Sequence, residues 1–260
     1  MTDLAQSQSF YDVARKVRRK LGKFLGQPQI GDIWPSGVIS FTFDDFPKTA
    51  FTQGGAILER HGARGTYYTA SKLVGTVGDL GTLFDMEDLR AAHRGGHEIA
   101  CHTYSHLRCS EADEPALVSE VRSNAAGISA IIEGHVPRNF AFPYGATSPT
   151  ARHVLKRYYA SCRGIQPGIN RKIPDTAELY AYSVYAGTFD EARMRALIDQ
   201  NKILSGWLIF YTHDVTEAPS PYGCTPQQWE AVVSYAARTS PVLPVRDVIA
   251  ALGVKSPRLP

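Results

Sequence analysis

Val38-Ile39-Ser40-Phe41-Thr42-Phe43 runs directly into Asp44-Asp45. Six apolar or β-favouring residues that follow Gly37 and end in charge read as a buried strand, with two carboxylates at its C-terminal end. The same pattern recurs down the chain, at residues 66–69, 98–101, 139–142, 160–163, 179–184 and 207–212. Between most of these runs lie helical patterns, clearest at 50–61, 86–94, 116–133, 190–202 and 226–238, the last with Pro226 at a favourable first helical position. Strands alternating with helices over more than 200 residues predict an α/β fold with a mostly parallel sheet, and one closed barrel fits the length. Each strand is followed by chemistry: Asp44-Asp45 after the first, His102-Thr103-Tyr104-Ser105-His106 after the third, Pro143-Tyr144-Gly145 after the fourth, Arg163-Gly164 at the fifth, and His213-Asp214 after 207–212. In a parallel barrel the C-terminal strand ends converge on one mouth, so these groups are expected to form one cluster.

The 260 residues are 43% hydrophobic and 20% charged, ordinary globular composition with length enough for one large core; this excludes a disordered, collagenous or disulfide-scaffold chain. The net charge of +3 is unevenly placed. Residues 1–26 carry Arg15, Lys16, Arg18, Arg19, Lys20 and Lys23 against Asp3 and Asp12, which leaves the rest of the chain slightly acidic. A near-neutral body excludes a broad nucleic-acid-binding face. Phe10, Val13, Ala14, Val17, Leu21, Phe24 and Leu25 recur at helical spacing among those basic residues, so 8–25 reads as a basic amphipathic helix. Gly26, Pro28, Gly31 and Pro35 then mark an irregular link, giving two units: 1–30, helix and linker, and 31–260, the barrel. The N-terminus has no apolar segment of the secretory kind. The four cysteines, Cys101, Cys109, Cys162 and Cys224, form no C-x-x-C pair and read as reduced thiols. The expectation is a cytoplasmic protein.

Two adjacent carboxylates past a buried strand oppose each other's ionisation, and a divalent cation relieves that opposition. Histidines at i and i+4, His102 and His106, with one of the two Asp residues, make three ligands of types that suit zinc and leave a position open, the pattern of a catalytic rather than a closed structural site. The other carboxylate is then placed to accept a proton from an attacking water, and His213 to protonate a leaving amine. A backbone N–H at the Phe142–Gly145 turn can serve a developing oxyanion. His61, His93, His97, His135 and His153 have no such setting and read as structural or surface residues.

These residues resemble the polysaccharide deacetylase family, also called the NodB-homology domain or carbohydrate esterase family four. Its T-F-D-D motif stands as Thr42-Phe43-Asp44-Asp45 and its H-[ST]-x-x-H motif as His102 to His106; its third motif resembles Phe140 to Gly145, and its last resembles Leu208 to His213. The resemblance covers about residues 36 to 250. It implies a distorted (β/α)7 barrel of TIM-like type and metal-dependent removal of N-acetyl groups from amino sugars such as N-acetylglucosamine, in a bacterial exopolysaccharide or lipid-linked saccharide. It further implies Asp44 as general base, Asp45, His102 and His106 as ligands of Zn2+ (or Co2+ or Ni2+), the Tyr144 N–H as oxyanion donor and His213 as general acid, with Pro143 and Tyr144 meeting substrate.

The sequence departs from the family pattern in two places. The third motif commonly carries an arginine that pairs with the base, and here that position is Ala141; the D-x-x-D-W motif is not recognisable. Two readings of Arg163, after the next strand, stand open: it supplies the missing charge to Asp44, or it is an ordinary loop arginine. The departures themselves favour the subgroup lacking the third-motif arginine over peptidoglycan or chitin deacetylases. Rival readings are a deformylase or other amidohydrolase on a lipid-linked aminosugar, an O-acetyl esterase, and a glycan-binding relative without turnover. For the basic helix two readings stand open: packing across the bottom of the barrel, or peripheral contact with the inner-membrane surface.

Overall fold

The computed structural model describes residues 28–255; the basic helix expected at 8–25 lies outside them. Seven strands, β1 (Val38–Asp44), β2 (Thr66–Thr69), β3 (Glu98–Cys101), β4 (Asn139–Ala141), β5 (Ser161–Arg163), β6 (Tyr182–Ser183) and β7 (Trp207–Thr212), form one all-parallel sheet in the order β5-β4-β3-β2-β1-β7-β6. Around it lie α1 (Ile30–Ile33), α2 (Ala56–Arg60), α3 (Met86–Arg94), α4 (Glu114–Ile131), α5 (Pro149–Leu155), α6 (Glu191–Ile203), α7 (Pro226–Thr239) and α8 (Val245–Ala251). The segment before β6 meets β5 and the residues after it through an isolated parallel bridge, Arg163 with Leu179, and four backbone hydrogen bonds between residues 162–166 and 176–181. The expected barrel is therefore a curled sheet whose seam beside β5 is hydrogen-bonded without a continuous strand ladder. Among the described residues no helix is long and apolar enough to cross a membrane.

Every residue of β1 is buried, because the strand is covered on both sides. Alternation then sorts its side chains. Ile39, Phe41 and Phe43 join the main core with Tyr67, Leu208, Phe210 and Trp229, where Trp229 packs 5.1 Å from both Phe41 and Phe43 and donates its Nε1–H to the Gly54 carbonyl at 3.2 Å. Val38, Ser40, Thr42 and Asp44 occupy the alternate positions. Ser40 Oγ bonds the Leu243 carbonyl and accepts from Trp207 Nε1, and Thr42 Oγ1 bonds the Phe210 carbonyl, so the polar atoms low in the barrel are satisfied.

At the N-terminal end of the sheet, buried Glu98 accepts hydrogen bonds from Thr66 Oγ1, Asn139 Nδ2 and the Arg246 N–H at the start of α8. This carboxylate is fully engaged in holding elements together, as expected of a polar group at the bottom of a barrel.

Local structure departs from the sequence expectations in three places. The helix expected at 50–61 opens with a π-helical stretch, Ala50–Gly55, before α2. It is pressed against the sheet so closely that a Cβ at Gly54 would stand 2.7 Å from the Phe43 ring. The wider turn sits just past Asp45, where such bulges commonly mark function. The link around Gly31 is not irregular throughout: α1 forms because Ile30 is fully buried beside Trp34, Val38 and Trp207 and its N–H bonds the Lys172 carbonyl. α5 and α8, single short helices, carried no strong periodic signal.

Trp229 is the largest side chain tying α7 to β1, so Trp229→Ala should lower unfolding free energy by about 3–5 kcal/mol, read from urea denaturation; a loss below about 1 kcal/mol would contradict this packing role.

Candidate active site

The loops after β1, β3, β4 and β7 carry the candidate residues, and they are conformationally strained in a consistent way. Of the seven non-glycine residues with positive φ among those described, five lie here: Asp45, Phe46, Thr103, His106 and Tyr144. Left-handed backbone at side chains this large is costly and persists where surrounding structure enforces it, most often at functional sites.

The enforcement is visible around His102 to His106. Glu120 on α4 accepts the N–H groups of Tyr104 and Ser105 and the Ser105 hydroxyl, all at 2.8 Å, while Thr103 Oγ1 accepts the Leu107 N–H. His102 Nδ1 donates to the Ala141 carbonyl at 2.9 Å, which leaves Nε2 to face the mouth. His102 Nε2 then lies 3.6 Å and His106 Nε2 3.1 Å from Asp45 Oδ1. Ligand atoms of these three residues all lie within 4.8 Å of one another. Burial pushes His102 down to about 3 and His106 below its ordinary value, so both imidazoles are neutral, and burial pushes the Asp45 carboxyl up to about 6. Asp45 Oδ1 is buried without a hydrogen-bond partner. Two neutral imidazole nitrogens converging on an orphaned carboxylate oxygen make a donor set that fits a divalent cation of the zinc class.

Asp44 is different. Burial alone would raise its pKa, but the Arg163 guanidinium outweighs this and holds the carboxyl below its ordinary value. Arg163 is fully buried, its Nη2 reaches both carboxylate oxygens at 2.5 Å, and its guanidinium lies between the rings of Tyr68 (5.1 Å) and Tyr211 (4.9 Å). Arg163 is also the register partner of Ala141 across the β4–β5 ladder. Parallel partners point to the same side of the sheet, so Arg163 faces the interior at the level of Ala141, the position at which the family resemblance leads one to expect an arginine. Ala141, clustered with Tyr68 and Ala100, leaves the interior space open.

His213 stands on the other wall. Its Nδ1 bonds the Tyr222 carbonyl at 3.2 Å, and its Nε2 lies 3.8 Å from Asp45 Oδ2. The Tyr222 carbonyl is held by a tight loop: buried Asp214 accepts the Ser220 N–H and hydroxyl, and Gly223 packs so near Asp214 that a Cβ there would stand 2.3 Å from its carboxylate. Pro143 is buried, with its carbonyl taken by the Ala146 N–H, and fixes the turn; Tyr144, 57% exposed, projects from it. The turn's own bonds run from Gly145 to Phe142 and from Ala146 to Pro143, leaving the Tyr144 N–H outside them.

The structure thus brings Asp44, Asp45, His102, His106, Tyr144, Arg163 and His213 to one mouth. Reading the strand ends missed Tyr68 and Tyr211, whose signal was their interior alternation near those ends. It also missed Glu120, which meets its partners only through the fold.

Residues 34–161 match the family model for polysaccharide deacetylase. The matched segment includes Asp44, Asp45, His102, His106 and the Pro143 turn, and ends before Arg163 and His213. A protein of Arthroderma benhamiae named "Probable peptidoglycan-N-acetylglucosamine deacetylase" is 30% identical over 119 residues, 46% of this chain, and the chain spans only 26% of that relative's length. The family 4 acetyl xylan esterase of Clostridium thermocellum, solved with a cobalt ion, superposes with TM-score 0.59 and 19% identity over 85% of this chain and 94% of its own. The peptidoglycan deacetylase PdaC of Bacillus subtilis does so with TM-score 0.50 and 15% identity over 84% and 92%. These structures share the fold.

Removing Arg163 strands a buried carboxylate, so Arg163→Ala should destabilise the protein by about 3–5 kcal/mol. Adding Ala141→Arg should recover part of that stability, because the new side chain enters the vacated space from the neighbouring strand at the same register. A double variant no more stable than Arg163→Ala would contradict this placement.

Proposed function

We propose that this chain is a metal-dependent N-deacetylase acting on saccharides that contain N-acetylated amino sugars. The observation that carries the reading is the division of labour between adjacent carboxylates: Asp45 faces two neutral imidazoles with an unsatisfied oxygen, while Asp44 is kept ionised by a buried arginine. Asp45, His102 and His106 would hold a divalent ion, Zn2+ by donor type, whose chemistry when bound is Lewis-acid polarisation of the acetyl carbonyl and of water.

The protein's own groups do the rest. Asp44 presents a carboxylate that accepts the proton of the water attacking the acetyl carbon, and Arg163 keeps that carboxylate charged where burial would otherwise neutralise it. The Tyr144 N–H, presented by a strained turn, donates to the carbonyl oxygen as negative charge develops there. His213, fixed through Nδ1 on the Tyr222 carbonyl, directs Nε2 toward the mouth and delivers a proton to the leaving amine. The acetate and the free amine are the products. The family-model match over residues 34–161 supports a deacetylase, and the name of the Arthroderma benhamiae relative supports an N-acetylglucosamine substrate.

Asp44→Asn should retain Zn2+ binding in isothermal titration yet lose about 10²-fold or more of acetate release from an N-acetylglucosamine oligomer, whereas His106→Ala should lose the Zn2+ isotherm. Turnover by Asp44→Asn within twofold of wild type, or greater release from acetylated xylan than from the amino-sugar oligomer, would contradict the reading.

A further inference from the structure

The rim of the mouth holds one cation that the deacetylation chemistry does not use. Arg108 follows His106 by two residues, and its guanidinium carbon lies 4.3 Å from the centroid of the Tyr144 ring. That ring in turn packs 4.4 Å from the His106 ring at 63°. The Tyr144 ring thus meets His106 at an edge and carries the Arg108 guanidinium over its face, linking the ligand set to the rim.

The stack fixes Arg108 without consuming its donors. Stacking on an aromatic face holds the guanidinium plane while its N–H groups, which lie in that plane, stay available. The charge partner it has, Glu111, stands 3.5 Å from Nε with side chains 46% and 76% exposed, a solvent-screened pair of small worth. The nearby Glu120 is already engaged by three donors of the 104–105 loop. Both supports of the stack are rigid: Tyr144 sits at φ 59° on the turn fixed by Pro143, and the loop reaching Arg108 is pinned by the Thr103 Oγ1 bond to the Leu107 N–H. Among the described residues no hydrogen bond engages the Arg108 Nη groups, and a guanidinium fork so placed at the lip of a site is the arrangement that recognises carboxylate or phosphate in two-point fashion.

We propose that Arg108, stacked on Tyr144, is a recognition site for an anionic group, carboxylate or phosphate, borne by the saccharide that enters the mouth. The proposal rests on the deacetylase reading for the identity of the sugar and narrows it to a charged substrate: either a polymer with acidic residues next to its acetamido sugars or a sugar linked through phosphate.

Three probes separate these cases: a neutral N-acetylglucosamine tetramer, a hyaluronan tetrasaccharide that alternates acetamido sugar with uronic acid, and N-acetylglucosamine 1-phosphate. Binding to the full chain loaded with Zn2+ is read by isothermal titration, with acetate release in parallel. Wild type should bind at least one anionic probe more tightly than the tetramer. Arg108→Gln should reduce that anionic-to-neutral affinity ratio about tenfold, as loss of a charged hydrogen bond does, and Arg108→Lys should restore it only partly, because a point charge lacks the fork. Loss confined to hyaluronan identifies a carboxylate, and loss confined to the sugar phosphate a phosphate. A ratio unchanged in Arg108→Gln, or no anionic preference in wild type, overturns the proposal. Arg108-dependent binding without acetate release from any probe would instead contradict the deacetylase reading and leave the anion site standing.

Discussion

The buried pair of Asp44 and Arg163 is the constraint around which the rest of the site is arranged. A carboxylate and a guanidinium inside a barrel are each expensive to desolvate, and their attraction compensates only when geometry is good and the remaining surface is apolar or aromatic. Here the guanidinium lies between Tyr68 and Tyr211 and spans both oxygens of Asp44. The pair also lies at the seam of the curled sheet, since Arg163 is the residue of β5 that bridges to Leu179. Holding the Asp44 carboxylate charged and tying the seam to β1 are therefore one interaction.

The two carboxylates show how environment assigns roles to identical side chains. Asp44 has a permanent cation beside it and stays ionised; Asp45 has no ion-paired arginine and keeps an unsatisfied oxygen, so its own burial raises its pKa to about 6. Glu98, equally buried at the other end of the same barrel, is satisfied by three donors and acts as a structural clamp. Supporting bonds complete the contrast at the mouth. His102 is orientated by a backbone carbonyl of β4 and His213 by the carbonyl of Tyr222, so neither imidazole needs a further carboxylate to set its tautomer.

Much of this was legible because strand ends punctuate the sequence. The run 38–43 followed by two Asp residues, and 98–101 followed by His102 to His106, carry period, boundary and chemistry together, and the structure forms both strands there. The placement of Arg163 beside Asp44 was readable as a charge missing from one strand and present at the end of the next, although the register that aligns Ala141 with Arg163 emerges only from the ladder. Glu120 under the histidine loop, sixteen residues from Tyr104, left no local trace, because only the fold brings it to its partners. The π-helical turn at Ala50–Gly55 was equally hidden, because it results from a close approach of Gly54 to Phe43 that neither segment shows alone.

The central claim is that a guanidinium supplied from β5 keeps the Asp44 carboxylate charged. Isotope-edited infrared spectroscopy of Asp44 in metal-free protein at neutral pH reads this directly, comparing wild type with Arg163→Gln. The account predicts a carboxylate band in wild type and a protonated carboxyl band in the variant, because burial then acts unopposed. A carboxylate band of equal strength in both proteins would contradict it.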